Sequence, residues 1–269
     1  MDCRVCAAPV VPYVTKNGFD VLKCTRCGFG QTDCTQEQIS SFYDKAYFAG
    51  ERAHFGQEEH QEIRPSHRWW IEKQLAQMKK KTGLRVLEIG PGLGGPIAGY
   101  FQKQRPDVDF AAIEFSDYAA DRLRARGMNV FAGRVMDPAI LEQCRGRFDL
   151  VYGTEVIEHD LEPHAFARAV HDMLVPGGRT AFTTGNLSGG QSRRNKADWY
   201  YMDPPAHVSF YTPEAAKHLF AAEGFTGVRV MRYGFNHMTW KLKTHLPGLL
   251  LATHLANVST GMTISAVRK

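Results

Sequence analysis

The sequence contains no long hydrophobic run. Its most apolar stretch, residues 246–258, is shorter than the roughly 20 residues that span a bilayer, and Pro247, Gly248 and His254 interrupt it. The first residues, Met-Asp-Cys-Arg, also lack the basic and then apolar pattern of a secretory signal peptide. These absences predict a cytoplasmic protein without a membrane span.

A strong charge of one sign is also missing. The net charge is +5 over 269 residues, and the short basic runs 79–81 and 193–194 are interpreted as solvated surface. This balance argues against a nucleic-acid partner. Because no internal repeat or low-complexity tract is present, the length predicts one large globular domain with a small appendage.

Cysteine is scarce beyond residue 34, where only Cys144 occurs, but five cysteines lie up to that point. Four of these form two CxxC pairs with seventeen residues between the pairs: Cys3, Cys6, Cys24 and Cys27. Two such pairs suit four thiolates around one tetrahedral Zn²⁺, whereas disulfides are disfavoured in a reducing cytoplasm. The dipeptide Asn17-Gly18 predicts a hairpin turn between the pairs. We therefore expect a zinc ribbon over residues 1–34, with Zn²⁺ as a structural cofactor.

Residues 35–82 follow as a predicted helical connector, with helical stretches at 35–48 and 58–81. The segment 41–48 is rich in aromatic residues. It either packs against the main domain or forms a lid over a cofactor, and both alternatives stay open.

From residue 83 onward, short apolar runs alternate with helical patterns, which predicts a parallel α/β sheet. We place seven strands, at 85–89, 110–115, 129–131, 148–152, 179–184, 228–233 and 262–267. We place five helices, near 95–104, 117–126, 138–144, 163–174 and 213–222.

The segment 86–95, VLEIGPGLGG, predicts a strand, a tight turn and the start of a helix. Glu88 precedes the turn, and Glu114 lies near the end of the next apolar run, where a carboxylate meets ribose hydroxyls. Three glycines at alternating positions let the turn approach a ligand: Gly90, Gly92 and Gly94. The pattern therefore predicts a site for a nucleoside-like cofactor, and hence an enzyme.

Gly90, Gly92 and Gly95 satisfy a dinucleotide fingerprint as well, and Glu88 decides between the two cofactors. A pyrophosphate is doubly negative and would be repelled by a carboxylate at the end of the strand. S-adenosylmethionine instead carries a sulfonium and an ammonium group, which a carboxylate attracts. This argument favours S-adenosylmethionine and disfavours an oxidoreductase; a non-enzymatic binding module would have to explain the intact cofactor loop.

On these residues the chain resembles the class I, seven-stranded S-adenosylmethionine-dependent methyltransferases over residues 83–269. The resemblance also includes the segment 148–155, FDLVYGTE, and the segment 174–184, LVPGGRTAFTT. It implies a Rossmann-like α/β fold: a seven-stranded, mostly parallel sheet with helices on both faces, preceded by the zinc ribbon. It also implies a set of cofactor-binding residues, from the methionine part to the ribose and adenine: Glu88, Gly90, Gly92, Gly94, Glu114, Phe115, Asp137 and Glu155.

The segment Glu-Val-Ile-Glu-His at 155–159 follows the fourth strand and, if it opens a helix, presents its polar residues on one face. It is similar to the ExxEH segment of quinone-precursor O-methyltransferases and small-RNA 2′-O-methyltransferases. That resemblance implies four candidate ligands for a second, divalent metal that orients an acceptor hydroxyl: Glu155, Glu158, His159 and His207. In relatives without a metal, Glu155 lines the cofactor and His159 acts as a base or only packs.

Transfer to a hydroxyl requires a base, and a histidine with an ordinary pKa near neutrality is the natural choice. The catalytic candidates are therefore His159, His207 and Glu155. Residues 186–211 form a long segment of the kind that usually carries function. Its aromatic residues are either acceptor-binding candidates or packing residues: Trp199, Tyr200, Tyr201 and Tyr211.

We expect methyl transfer to a small-molecule acceptor, at a hydroxyl oxygen of a sugar, aromatic or natural-product intermediate. The ribbon with this domain is also similar to sugar C-methyltransferases and tailoring enzymes, so that transfer to a sugar carbon is an alternative. An RNA methyltransferase of the zinc-module type is another, although the modest charge argues against it. The apolar stretch 246–255 is interpreted as a homodimer contact or a cap over the acceptor.

Overall fold

Two β-sheets organise the computed structural model of the chain, which describes residues 1–42, 63, 65–78, 82–94, 96–233 and 260–269. The smaller sheet has the strand order β1-β2-β3-β9 and the larger the order β10-β11-β8-β7-β4-β5-β6. Residues 43–48 of the aromatic segment, interpreted above as packing or as a lid, and the predicted dimer or cap segment 246–255 lie outside the described residues.

The smaller sheet is formed by β1 (Val10–Lys16), β2 (Phe19–Cys24), β3 (Gly30–Thr32) and β9 (Ser209–Phe210). The turn between β1 and β2 has φ +54 at Asn17 and φ +82 at Gly18, the left-handed values that a type I′ hairpin requires. This hairpin is as predicted. The pairing of β3 with β9, which brings a distant segment of the chain into the ribbon sheet, was not foreseen.

The larger sheet confirms the expected seven-stranded, mostly parallel architecture. Its strands β4, β5, β6 and β7 are parallel neighbours, and β4 lies between β5 and β7. The strands are β4 (Arg85–Ile89), β5 (Asp109–Glu114), β6 (Asn129–Ala132), β7 (Phe148–Thr154), β8 (Leu174–Gly185), β10 (Phe225–Tyr233) and β11 (Gly261–Arg268). Strand β8 begins earlier than predicted, because the Pro-Gly-Gly turn is drawn into the strand.

The helices begin where their sequences supply caps. Thr35 and Gln38 form a reciprocal capping box before α1, Ser116 caps α4, and Thr212 caps α8. The helices are α1 (Gln36–Phe42), α2 (Pro65–Ala76), α3 (Pro96–Gln104), α4 (Asp117–Ala125), α5 (Pro138–Cys144), α6 (Pro163–Met173), α7 (Gly190–Asn195) and α8 (Pro213–Ala222). Phe42, at the end of α1, packs against Leu93 and Ala119, so the beginning of the connector contacts the glycine segment.

The chain divides into two compact units. The ribbon unit comprises residues 1–39, 155–167 and 182–266, and the glycine-loop unit comprises residues 40–154, 168–181 and 267–269. The core of the glycine-loop unit gathers, among others, Trp70, Ile71, Val86, Phe101, Leu150 and Tyr152. The core of the ribbon unit contains Val21, Leu187, Trp199, Tyr201, Met202 and Phe210. The predicted division at residues 34 and 82 stays a prediction.

Candidate active site and cysteine cluster

The glycine segment forms a left-handed turn at the end of β4. Gly90, Gly92 and Gly94 have φ +67, +61 and +94, a conformation that side chains with a Cβ rarely adopt. At Gly94 a Cβ would also lie 2.3 Å from the guanidinium Nη1 of Arg126, which donates a hydrogen bond to the carbonyl of Leu93 at 2.8 Å. The turn therefore requires glycine, and its amides are held within the protein: Gly90 donates to the carbonyl of Ile113 at 2.9 Å, and Gly94 donates to that of Pro91 at 3.3 Å.

Glu114 ends β5 and connects this turn to the neighbouring strand. It is 2% exposed. Its Oε2 accepts a hydrogen bond from the Gly92 amide at 2.9 Å, and its Oε1 accepts one from the Ser116 amide at 3.0 Å. Burial raises the pKa of Glu114, and these amides oppose the rise. Glu114 thus lies against the glycine turn, as the resemblance implied.

Glu88 lies directly opposite Tyr152 on the paired strands β4 and β7, which explains their contact. The Tyr152 hydroxyl donates a hydrogen bond to Glu88 Oε2 at 2.8 Å inside the core. Burial raises the pKa of Glu88 to about 8; the Tyr152 bond opposes the rise, and the charge of Glu114 adds to it. Glu88 is therefore mostly protonated at neutral pH. The predicted repulsion of a pyrophosphate by this carboxylate therefore needs correction. At neutral pH Glu88 carries little negative charge until a bound cation lowers the pKa of Glu88.

Two further predicted cofactor residues lie in the same unit. Phe115 follows Glu114 and is 44% exposed, so its ring is available to a ligand. Asp137 caps α5, and its Oδ2 accepts a hydrogen bond from the Arg134 amide at 2.6 Å. The amide of Gly133 in turn donates to the carbonyl of Glu114 at 2.9 Å, which connects the Asp137 turn to β5.

The four predicted zinc ligands come together in the ribbon unit. Their sulfur atoms all lie within 4.8 Å of one another, and three pairs are 3.4 to 3.6 Å apart. These separations exclude disulfide bonds and approach the roughly 3.8 Å between sulfurs around tetrahedral Zn²⁺. Backbone amides of Val5 and Arg26 point at Cys3 and Cys24 sulfurs. A hydrogen bond from Cys27 lowers the pKa of Cys3 to about 5, as expected for a thiolate.

Glu155 begins the ExxEH segment, which is not the predicted α-helix. Glu155 has φ +54, and only a short 3-10 turn, Ile157–His159, follows it. The amide of Glu155 donates to the carbonyl of Thr183 at 3.1 Å, and the Tyr201 hydroxyl donates to its carboxylate. The residue is accessible to solvent, but its carboxyl lies among protein groups. Desolvation there raises the pKa of Glu155, against the hydrogen bonds of Tyr201 and Thr183.

Glu158, His159 and His207 form a second group of potential metal ligands, with ligand atoms within 4.8 Å of one another. Glu155 is not part of this group, unlike in the four-ligand prediction. Glu158 is 1% exposed, and its carboxyl group forms no hydrogen bond of regular geometry among the described residues, although the side chains of Thr184 and Glu155 lie close to it. Burial, and then the charge of Glu155, raise the pKa of Glu158 well above its ordinary value. A buried carboxyl group of this kind holds its proton unless a cation stabilises the charged form.

The two histidines differ in their orientation. The His207 Nδ1 donates to the carbonyl of Tyr201 at 2.7 Å, which makes Nε2 the acceptor nitrogen of the neutral ring. Both ring nitrogens of His159 face carbonyl oxygens, of Ala206 at 2.6 Å and of Glu155 at 3.0 Å. Burial lowers the pKa of His159, and burial together with His159 lowers that of His207 to about 3. Burial therefore lowers the pKa of both histidines below the ordinary value on which the prediction of a histidine base rested.

The predicted aromatic acceptor residues divide into two kinds. Trp199 and Tyr211 are 1% exposed and pack inside the ribbon unit, Trp199 within the core group defined above. Tyr201 is 6% exposed and contacts Glu155, whereas Tyr200 is 50% exposed, with its ring centroid 4.5 Å from that of Tyr201. The structure thus leaves Tyr200 as the accessible aromatic face and makes Trp199 and Tyr211 packing residues.

Three functional neighbours were missed by the sequence analysis. Tyr152 binds Glu88, and Thr183 binds Glu155. Tyr233 lies near Glu155: burial raises the pKa of Tyr233, and the charge of Glu155 raises it further. Tyr152 had a signal, because it stands at the strand position opposite Glu88. Tyr233 had none, since β10 is far from Glu155 in sequence.

Within the described ranges, no helix combines the length and apolar character that crossing a membrane requires.

Comparisons with known proteins agree with this geometry. A family model described as a methyltransferase domain matches residues 60–230. The ubiquinone biosynthesis O-methyltransferase of Ruegeria pomeroyi is 26% identical over 186 residues, which cover 64% of this chain and 71% of that protein. The Azotobacter vinelandii enzyme of the same name is 29% identical over 127 residues, covering 46% of this chain and 53% of that protein. The chain thus spans about half the length of some of these curated relatives.

Solved structures show the same fold at low identity. A S-adenosylmethionine-dependent methyltransferase from Archaeoglobus fulgidus has a TM-score of 0.55 and 16% identity, covering 76% of this chain and 91% of that one. The phosphoethanolamine N-methyltransferase 2 of Haemonchus contortus has a TM-score of 0.51 and 16% identity, covering 76% and 52%. Because the family model matches more than half of the chain, this protein belongs to the methyltransferase-domain family and is a class I S-adenosylmethionine-dependent methyltransferase.

Proposed function

We propose that the chain transfers the methyl group of S-adenosylmethionine to a hydroxyl oxygen of a small-molecule acceptor. The single observation that carries this proposal is the cluster of Glu158, His159 and His207, whose ligand atoms lie within 4.8 Å of one another. The O-methyltransferase names of the curated relatives support the same acceptor atom. A sugar, an aromatic ring or a natural-product intermediate would carry the hydroxyl.

The glycine-loop unit would hold the cofactor. The left-handed glycine turn would lie against the methionine part, where the lack of a Cβ lets the backbone approach a ligand; Glu114 would take the ribose, and Phe115 would cover the adenine. Asp137 would contact the adenine edge. S-adenosylmethionine supplies a methyl group on a sulfonium, which is a good leaving group, so the protein chiefly needs to orient the acceptor and exclude water.

The group of Glu158, His159 and His207 fits a divalent cation, because its mixed carboxylate and imidazole donors suit Mg²⁺, Mn²⁺ or Zn²⁺. A cation there would lower the pKa of an acceptor hydroxyl. Tyr201 orients His207 through its carbonyl, whereas His159 has to release one of its two carbonyl contacts to bind. The four cysteines would hold a separate, structural Zn²⁺.

Among the three catalytic candidates, Glu155 is the best supported base. His159 has both nitrogens at carbonyl oxygens, and the pKa of His207 is about 3, far from neutrality. Glu155 is accessible, its pKa is raised toward neutrality by desolvation, and the Tyr201 hydroxyl fixes its carboxylate. A base works best when its pKa approaches the working pH, so Glu155 would accept the proton of the acceptor hydroxyl.

Methyl-labelled cofactor with a panel of hydroxylated aromatic compounds, sugars and amines, analysed by mass spectrometry, tests the proposed reaction. We expect label on oxygen. We also expect turnover to fall at least about tenfold after mild chelation that leaves the cysteine-bound zinc in place, and to return on addition of Mg²⁺, Mn²⁺ or Zn²⁺. Glu158→Gln removes this rescue, whereas the exposed Glu162→Gln keeps it. Label only on nitrogen, or unchanged turnover in the stripped enzyme, would contradict the proposal.

Cofactor affinity is predicted to rise with pH up to about pH 8. Glu88 has a raised pKa of about 8 in the free protein, and a bound cation lowers it, so binding releases a proton wherever Glu88 is protonated. Affinity therefore increases through neutral pH and levels off above pH 8. Calorimetry in buffers of different ionisation enthalpy measures the released proton. Glu88→Gln removes the proton release from Glu88, while the amine of the cofactor still titrates. If cofactor affinity has the same pH profile in the parent and in Glu88→Gln, the prediction is refuted.

A further inference from the structure

We propose that the cysteine ribbon positions the acceptor side of the active site, with Asn17 as a positioning residue at the hairpin tip. The acceptor side is here defined as residues 199–211 together with Glu155 and Glu158. The proposal rests on the proposed function only in assigning the acceptor to these residues. Every contact that supports it lies within the ribbon unit.

Backbone hydrogen bonds connect the ribbon to Glu158 through one intermediate residue. The Thr32 amide, at the end of β3, donates to the carbonyl of Val208 at 3.1 Å. The Val208 amide donates to the carbonyl of Glu158 at 2.8 Å. The next residues pair with β3 as β9, with Gly30 opposite Phe210 and Gln31 opposite Ser209. Because His207 precedes Val208 directly, strand β3 fixes the backbone beside two of the candidate metal ligands.

The hairpin tip contacts the other end of the acceptor segment. Asn17 donates from Nδ2 to the side chain of Asp203 at 3.0 Å and to the carbonyl of Pro204 at 2.8 Å. Lys16 forms an ion pair with Asp198 at 3.7 Å, immediately before Trp199. Both contacts of the Asn17 side-chain amide are made to residues outside the hairpin. The tip therefore holds residues 203–204, between Tyr201 and His207.

Apolar side chains also connect the ribbon to the acceptor side, between strand β3 and the hairpin tip. Tyr13 and Val14 of β1 pack against the core group that contains Val21 of β2 with Trp199 and Tyr201. Tyr201 is the residue whose hydroxyl donates to Glu155 and whose carbonyl orients His207. At Gly30 a Cβ would lie 2.8 Å from Leu187 and 3.0 Å from Phe210, so that β3 approaches this core as closely as glycine permits.

The metal-binding end of the ribbon is also joined to the rest of its unit. The Thr212 hydroxyl donates to the carbonyl of Cys27 at 2.6 Å, while its oxygen caps α8. His164 contacts the carbonyl of Val5, between Cys3 and Cys6, at 2.9 Å, and Glu223 at 2.6 Å. The cysteine end and the hairpin tip are thus anchored separately. A metal at the cysteines would hold the cysteine end and the hairpin tip in a fixed relative position. The ribbon would then influence acceptor binding and would not be an independent module.

Hydrogen exchange of the full-length protein, with turnover and cofactor affinity measured alongside, tests the proposal. Asn17→Gly keeps the left-handed turn and removes the amide; Asn17→Asp also keeps it and places a negative charge against Asp203. Thr15→Ala is the matched control, because Thr15 bonds only across the hairpin, to Asp20 at 2.8 Å. We expect exchange over residues 203–211 to quicken at least about fivefold in Asn17→Gly and more in Asn17→Asp, with little change in Thr15→Ala.

The same Asn17 variants are expected to raise the KM for the acceptor more than they lower kcat, with the Kd for S-adenosylmethionine within about twofold of the parent. If exchange over residues 203–211 is the same in all four proteins, the ribbon does not position this segment and the proposal is overturned. Equal effects of Asn17→Gly and Thr15→Ala would overturn it too, because hairpin stability alone would explain them. Hydrogen exchange is measured without an acceptor, so its result does not depend on whether the proposed reaction occurs.

Discussion

Replacing Glu114 by alanine is expected to raise the Kd for S-adenosylmethionine by about 10²- to 10⁴-fold. A carboxylate that accepts two ribose hydroxyls makes two charge-assisted hydrogen bonds, each contributing about 1.5–3 kcal/mol, and the sum corresponds to this range. Glu114 also accepts a hydrogen bond from the Gly92 amide, so its loss removes a contact that holds the glycine turn. Calorimetry with S-adenosylmethionine and its demethylated product measures the change.

The exposed Asp109, at the other end of β5, supplies the matched control for this variant. Asp109→Asn changes a carboxylate on the same strand and is expected to leave the Kd unchanged within about twofold. Thermal unfolding of both variants shows whether the loss at Glu114 is local or global. A Kd for Glu114→Ala within threefold of the parent, in a folded protein, would show that the ribose lies elsewhere.

The parts of the fold that were predicted correctly are encoded locally. Strands β4, β5 and β7 are short apolar runs that end at glycine, glutamate or threonine, and each was placed within a few residues. The type I′ turn at Asn17-Gly18 was predicted because those two residues tolerate positive φ. The glycine turn was recognised for the same reason. In each case the conformation depends on neighbouring residues in the chain.

The parts that were missed depend on residues far apart in sequence. The two-residue strand β9 has no pattern of its own, and it exists because β3 offers an edge to Ser209 and Phe210. Trp199 was interpreted as an acceptor contact because it lies in a long segment, but the ribbon hairpin supplies partners that bury it. The left-handed Glu155 has no sequence signal either, since glycine is the usual residue at such a position.

The protonation states of the site residues could not be predicted from the sequence either. Glu88 was interpreted as a carboxylate, and only its burial beside Tyr152 shows that it holds a proton at neutral pH. The histidines were assigned as bases from their ordinary pKa, whereas burial lowers the pKa of His207 to about 3. Residue types therefore suggested which residues take part in the chemistry, but desolvation changes their protonation, and this is why we propose Glu155 and not an imidazole as the base.

Replacing Glu155 by glutamine is expected to lower kcat by about 10²- to 10⁴-fold, the usual range for loss of a general base. Glutamine keeps the size of the side chain and can still accept a hydrogen bond from Tyr201, so the local packing is preserved. If Glu155 only lined the cofactor, the main effect would instead be a weaker Kd for S-adenosylmethionine. We expect that Kd to change less than about threefold, and single-turnover kinetics with saturating cofactor separates the two roles.

Two further variants make this result specific. Tyr201→Phe removes the hydroxyl that orients the Glu155 carboxylate, and about a tenfold fall in kcat is expected for one lost hydrogen bond to a charged group. Glu162→Gln neutralises an exposed carboxylate seven positions further along the chain and is expected to leave kcat unchanged. A kcat for Glu155→Gln within a few fold of the parent would exclude Glu155 as the base. The proton would then leave by another route, with His207, whose acceptor nitrogen is Nε2, as the next residue to replace.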